Sequence, residues 1–320
     1  MHIPDGFLDA KTAIAAAVVS ATAVGAAIRE ARRKLSPRRV PLLGLTATFV
    51  FVAQMLNFPI AGGTSGHLVG AVLAVALVGP AGGVLVLTAV LIVQCFVFAD
   101  GGVLALGANV LNMAVIGCLV GGAIYAGVRR LIGGVQGQLV AAAFAAWCSI
   151  VAAAVACAAE LAWAGTVPWH VVFPAMTAVH MVIGVVEAVI TTLVLAAIVA
   201  TRPELVWAGS SAGQPRLRGA LVAGGVLLAL ALAVVLTPLA SSAPDGLEVV
   251  ARTFGFAGRE AAGAVTATPL AGYRLAGVGS PSAATALAGA IGTFVMFGVS
   301  LLLGRLLARK RPGVGPGAAP

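Results

Sequence analysis

Long apolar runs separated by short polar stretches dominate this chain, and they outweigh any period of two or of 3.6 residues. Runs near 12–28, 40–56, 67–79, 82–98, 103–128, 138–163, 171–200, 217–239 and 284–307 carry almost no charge. Most reach the roughly 17–25 residues a helix needs to cross a bilayer. The pattern predicts an all-α, polytopic helical membrane protein: a seven-helix bundle before residue 203 and a two-span unit after it. The 67–79 run is short and is expected to be a partial or tilted span. Alternating segments of about ten residues, the mark of a transmembrane barrel, are not found.

Composition agrees with the pattern: 61% of the 320 residues are hydrophobic and 9% charged, outside the range of soluble domains. Basic residues then orient the spans, because cytoplasmic loops near span ends collect Lys and Arg. With the amino terminus outside, the inner face receives Arg29, Arg32, Arg33, Lys34, Arg38, Arg39, Arg129, Arg130, Arg202, Arg216, Arg218, Arg305, Arg309, Lys310 and Arg311. Only Lys11, Arg252, Arg259 and Arg274 fall outside. The carboxyl terminus is then inside, and the net charge of +9 reads as topology and contact with anionic membrane lipid, not as nucleic-acid binding. The Pro-Asp-Gly turn ahead of Lys11 is unlike a signal leader, and the mature chain is expected to begin at Met1.

Four units are expected. Residues 1–203 form the membrane domain, 204–218 a linker rich in Pro, Gly and Ser, 219–311 a two-span companion with a long outer loop, and 312–320 a disordered tail. In that loop PDGLEVVARTFGF sets Leu247, Val250, Ala251 and Phe254 at helical spacing after the Asp245–Gly246 turn. A short amphipathic helix is predicted, lying on the outer face or packed on its own domain. Ala13, Ala17 and Ala21 form a small-residue ridge on the first span, suited to close helix packing inside the bundle or against a partner helix.

The chemistry-bearing residues are few. His2 stands directly behind the amino terminus. The Met1 amine, the His2 amide once deprotonated and a His2 ring nitrogen can close two small chelate rings around one cation. Three nitrogens near one plane suit a tetragonal ion such as Ni(II) or Cu(II). His67 ends NFPIAGGTSGH on the same outer side. Pro59, Gly62, Gly63 and Gly66 let that stretch bend inward, which is tolerable at membrane depth when protein encloses it, and its imidazole would supply a fourth nitrogen. His67 also reads as an interfacial residue near the next helix, with Thr64 and Ser65 as N-cap candidates. Asn57 and Thr64 are candidates for supporting contacts.

His180 and Glu187 share a face of the seventh span, where ionisable groups are costly and point into a bundle. They are expected either to bond to each other or to serve as a relay or transient cation site. His170, after Pro168–Trp169, reads as an interface residue. Asp5 and Asp100, each followed by Gly, read as turn residues able to support a cation from behind its ligands. Asn109 and Asn112 are expected to bond between helices, and Glu160 and Glu204 to be solvated. Cys95, Cys118, Cys148 and Cys157 lie in spans without ligand spacing and read as packing residues. A site built on amine, amide and imidazole should weaken as pH falls through about 7.7 and 6.5.

No GxxxxGK[ST] loop, HExxH pair or GxSxG elbow occurs, and Lys11, Lys34 and Lys310 are the only lysines. The chain therefore offers no site for ATP hydrolysis and no protease or esterase machinery, and a non-enzymatic role is expected.

MHIPDGFL at the start, NFPI with GTSGHLVGA at 63–71, VGP at 78–80, FADGGVLALGANVLNM at 98–113 and HMVIGVVEAVIT at 180–191 together resemble the NikM/CbiM substrate-capture component of nickel/cobalt energy-coupling-factor ABC transporters. The PDGLE segment resembles the NikN/CbiN companion, giving a NikMN-like fusion. The resemblance implies Ni(II) or Co(II) as transported substrate, with Met1, His2 and His67 as its ligands. It also implies a transmembrane scaffold component and two cytoplasmic ATPases as partners, in a bacterial or archaeal cytoplasmic membrane. Cobalt uptake for cobalamin synthesis, a stand-alone secondary transporter working through His180 and Glu187, and a metal sensor or assembly scaffold that moves no ion are the other readings.

Overall fold

The computed structural model describes residues 1–207, 217, 219–261 and 268–308. Most of the expected linker and the whole expected tail, with Arg216, Arg218, Arg309, Lys310 and Arg311, lie outside the described residues. The helices are α1 (Ala10–Lys34), α2 (Val40–Met55), α3 (Ala71–Phe98), α4 (Leu106–Asn109), α5 (Gly117–Ile132), α6 (Gly134–Trp163), α7 (Trp169–Thr201), α8 (Gly219–Val235), α9 (Gly246–Thr253) and α10 (Pro281–Leu307). A π-helical turn, Val110–Ile116, joins α4 to α5, so Leu106–Ile132 is one continuous span. Seven of the described helices are long and apolar enough to cross a membrane, and the 16-residue α2 is buried among them.

The short 67–79 run and its successor are two arms of one element. A straight 28-residue helix would be about 42 Å long, yet the segments flanking both ends of α3 meet the same residues, Met1 and His2. The reversal is at Gly79, whose φ of 78° and ψ of 171° leave helical space, followed by Pro80. A Cβ on Gly83 would stand 3.3 Å from the backbone nitrogen of Val75, so the arms 71–78 and 80–98 run side by side. The first arm begins at Ala71, later than the apolar run suggests.

The tip of this hairpin is closed by residues distant in sequence. Trp207 N–H donates to the Ala76 carbonyl at 2.7 Å, and Arg39 Nη1 donates to the Leu77 carbonyl at 2.7 Å. The Arg39 guanidinium lies 4.8 Å from the Trp207 ring centre, a cation–π contact. Carbonyls orphaned at a helix end are thereby satisfied.

The two C-terminal spans pack on α2, and small residues permit the approach. A Cβ on Gly292 of α10 would fall 2.4 Å from the Phe51 ring, and one on Gly44 of α2 would fall 3.1 Å from Phe297. Helix α9 packs on α7 and on residues 64–66, with Leu247, Val250 and Ala251 buried. Phe254, expected on that face, follows the helix and is 46% exposed. On α1 the buried positions are Thr12, Ala16, Ser20, Ala27 and Ala31, one step off the predicted ridge. Ala17 is in contact with Gly107, whereas Ala13 is half-buried and Ala21 exposed.

Candidate metal centre

The amino terminus is threaded into the bundle, and the sequence order of its polar groups explains how. The Asp5 carboxylate accepts from the N–H groups of Val103, Leu104 and Ala105 at 3.2, 2.8 and 3.3 Å, ahead of α4. Ile3 N–H donates to Asn109 Oδ1 at 2.7 Å, and its carbonyl accepts from Asn109 Nδ2 at 3.1 Å and from Gly102 N–H at 2.9 Å. Asn109 thus serves the N-terminal segment and not a neighbouring helix. Fixed at residues 3 and 5, the chain has only Met1 and His2 left to direct inward.

His67 comes from the other side. Phe58–Ile60 (β1) pairs antiparallel with Thr64–Gly66 (β2), a small β-hairpin where irregular loop was expected, with Gly62 at φ 76° and Gly63 at φ 73° making its turn. Thr64 and Ser65 therefore belong to a strand and do not cap α3, and Asn57 meets the companion unit through its carbonyl, which accepts from Ser241 N–H at 2.7 Å. His67 directly follows β2 and is buried.

These elements bring the Met1 amine to 3.0 Å from His67 Nε2. The His2 and His67 rings stack with centroids 5.3 Å apart and planes 24° from parallel. His67 Nδ1 faces the Leu68 carbonyl at 3.2 Å, which must accept. Nδ1 therefore carries the hydrogen, and Nε2 offers a lone pair to the amine. His2 Nδ1 lies 3.4 Å from Asp100 Oδ1, and its Nε2 lies 3.2 Å from Gln94 Oε1. Asp100 also accepts from Tyr273 Oη at 2.5 Å. Burial, then the adjacent ammonium, pushes the His67 pKa well below histidine's ordinary value. Burial lowers that of His2 as well, outweighing the opposing effect of Asp100. Both rings are neutral at neutral pH, so the imidazole part of the expected pH dependence moves below about 6.5.

Sequence reading gave no functional weight to Asp245. Its Oδ2 accepts from the Met1 amine at 2.6 Å while its Oδ1 caps α9 through Glu248 N–H at 2.9 Å. Burial alone would raise this carboxyl's pKa, but the ammonium beside it holds it well below the carboxylate range. Ser65 N–H donates to the Pro244 carbonyl at 2.8 Å and Ser65 Oγ to the Ala243 carbonyl at 2.7 Å. The companion loop is thus bonded to the β-hairpin next to His67. The Asp-Gly pair before an amphipathic helix signalled a turn, and nothing in that pattern pointed to a remote amine.

The remaining candidates separate. His180 and Glu187 do not bond to each other: His180 Nδ1 faces the Met176 carbonyl at 2.8 Å, while Glu187 accepts from Val69 and Gly70 N–H groups at 2.7 and 2.8 Å. A backbone donor pair outcompetes an imidazole seven residues away. His180 lines a cavity of ≈ 10 Å³ with Met1, His67 and Asp245. His170 is exposed. Glu160, expected in solvent, is buried and accepts from Asn112 Nδ2 at 2.6 Å. Cys95, Cys118 and Cys157 are buried and unpaired. Among the described residues no three His, Cys, Asp or Glu side chains converge as a metal cage.

The family described as the cobalt uptake substrate-specific transmembrane region, CbiM, matches residues 2–205, and the PDGLE domain matches residues 219–309. A fused nickel transport protein, NikMN, of Rhodobacter capsulatus is 35% identical over 246 residues, 72% of this chain and 71% of that one. A protein of Archaeoglobus fulgidus named as a fused nickel transport protein, NikMN, is 35% identical over 309 residues, 95% of this chain and 98% of its own. The crystal structure of a truncated transition metal transporter superposes with a TM-score of 0.57 at 33% identity, covering 62% of this chain and 99% of that one.

Proposed function

From the premise that the chain belongs to the CbiM family of cobalt uptake substrate-specific transmembrane regions, we propose that it captures Ni(II) or Co(II) through the Met1 amine, the His2 amide and imidazole, and His67 Nε2. It is a multi-pass membrane protein of nickel or cobalt transport and not an enzyme. The observation that carries the site is the 3.0 Å between the Met1 amine and His67 Nε2. Neighbouring nitrogens of a square with bonds of about 2 Å lie about 2.8 Å apart, so this pair already spans one edge. The amine hydrogens now lie between it, His67 and Asp245, where a cation would displace them.

Four nitrogens in one plane favour Ni(II) over Co(II). Asp5, Asn109 and Asp100 hold the chelating dipeptide in place, and the companion unit covers it through Asp245 and Tyr273. Energy comes from outside this chain: a transmembrane scaffold and two cytoplasmic ATPases drive release inward. The half-open edge of α1 at Ala13, Ala17 and Ala21 is offered to a partner helix. Engagement of both Glu187 oxygens by backbone disfavours a stand-alone pathway through His180 and Glu187.

The test is Nα-acetylation of Met1 during synthesis, which takes the amine lone pair out of its chelate ring. Ni(II) binding by the purified full chain is expected to fall by at least ~100-fold, about 2.7 kcal/mol, and His67→Ala to weaken it by ~10-fold or more. Unchanged affinity in the acetylated protein would refute the terminal chelate.

A further inference from the structure

The carboxylate of Glu187 and the amide of Gln54 make no contact with the four capture nitrogens, yet both hold the residues that follow His67. Glu187, fully buried on α7, takes Val69 N–H at 2.7 Å on one oxygen and Gly70 N–H at 2.8 Å on the other. Gln54 of α2, also buried, donates from Nε2 to the Val69 carbonyl at 2.9 Å. Leu68 to Gly70 belong to neither strand nor helix, and Gly70 sits at φ 75° ahead of the arm 71–78 with no side-chain cap of its own.

Backbone of this kind, enclosed in a membrane bundle, has no water to satisfy it. Helix starts leave N–H groups without partners, and an anion is the favoured complement there. Glu187 therefore caps the arm from another helix, and Gln54 secures the carbonyl between its two bonds. On the opposite side of His67, Ser65 is bonded to the companion loop. The histidine is thus held at both ends, two residues away in each direction, and the Leu68 carbonyl sets its tautomer.

We propose that Glu187, assisted by Gln54, is a positioning residue for metal capture: it fixes the backbone after His67 so that Nε2 meets the terminal amine. This role rests on the reading of His67 as a ligand. It also ties α7 and α2 to the site, so movement of either helix shifts one donor relative to the other three.

The experiment is a double-mutant cycle on the purified full chain in nanodiscs, titrated with nickel chloride, using Glu187→Gln, His67→Ala and the pair. Outer contacts of metal ligands are worth about ten- to a hundred-fold in affinity, and Glu187→Gln is expected to weaken binding by that factor. In the His67→Ala background the same change is expected to alter affinity by less than about two-fold, because residues acting through one another are not additive. The Ni(II) absorption bands of Glu187→Gln should move toward those of His67→Ala. Equal losses in both backgrounds, or wild-type affinity in Glu187→Gln beside a weakened His67→Ala, would overturn the positioning role and leave the capture site standing. Wild-type affinity in His67→Ala would overturn the site and this role together. Glu187→Gln preserves volume and one acceptor, so the cycle stays readable where Glu187→Ala fails to assemble.

Discussion

Histidine 67 carries its hydrogen on Nδ1 and is kept neutral by burial beside an ammonium, which leaves its Nε2 lone pair for the proposed ligand role. The sign of its shift has a measurable result. A lowered pKa means the ring holds no proton to displace at pH 6.5, so its contribution to metal affinity persists as pH falls through the ordinary histidine range and is lost only below it. Titration calorimetry with Ni(II) at pH 6.5, in buffers of different ionisation enthalpy, counts protons released. His67→Ala is expected to lower affinity while leaving that count unchanged; a count lower by about half a proton would show an ordinary imidazole pKa of about 6.5. Asp245 gives a second prediction at this scale. Its ion pair shields the Met1 amine, so Asp245→Ala should speed modification by an amine-reactive reagent by about ten-fold, equivalent to ~1.4 kcal/mol. His2 and His67 were legible as donors because few other ligating side chains occur; Asp245 was not, because an aspartate ahead of a helix has a sufficient local reason to be there.

At the scale of elements, the hairpin of α3 decides where His67 can be. Gly79 and Pro80 make its turn, since a glycine can enter left-handed space and a proline cannot continue the preceding helix. The packing on that turn was not marked in the sequence. A Cβ at Gly79, with φ 78°, would come within 2.7 Å of the Trp207 ring, so Gly79→Ala is expected to destabilise the protein by ~1–3 kcal/mol. Thermal unfolding of the purified protein measures this, and adding Trp207→Ala should recover the steric part and leave the backbone strain. The spacing of His180 and Glu187 suggested a bond along one face, but the free N–H groups of Val69 and Gly70 claimed the carboxylate. Periodicity along one helix carries no information about orphaned donors on another.

For the whole molecule, the distribution of basic residues predicts that His2, His67 and Asp100 face the outer surface and the Arg39–Trp207 closure the inner one. Cysteine labelling with a membrane-impermeant thiol reagent, in a background lacking the native cysteines, tests this. Leu104→Cys, beside the outer site and 72% exposed, is expected to react in intact cells; Leu131→Cys, 86% exposed at the end of α5, should react only after permeabilisation. Nickel uptake into cells is expected to require an ATP-hydrolysing partner, since no phosphate loop exists in this sequence.

The amino-acid sequence by itself determined the membrane character, the runs that became spans, the clustering of basic charge and the nitrogens available for a cation, because each follows from local composition and short-range spacing. Tertiary structure alone decided that the amine reaches His67, that Asp245 of the companion loop meets it, and that Glu187 holds the backbone beside it. Those contacts join residues 66, 244 and more than 100 positions apart. Buried N–H and carbonyl groups must find partners wherever folding brings them, and no local pattern records which partner that is.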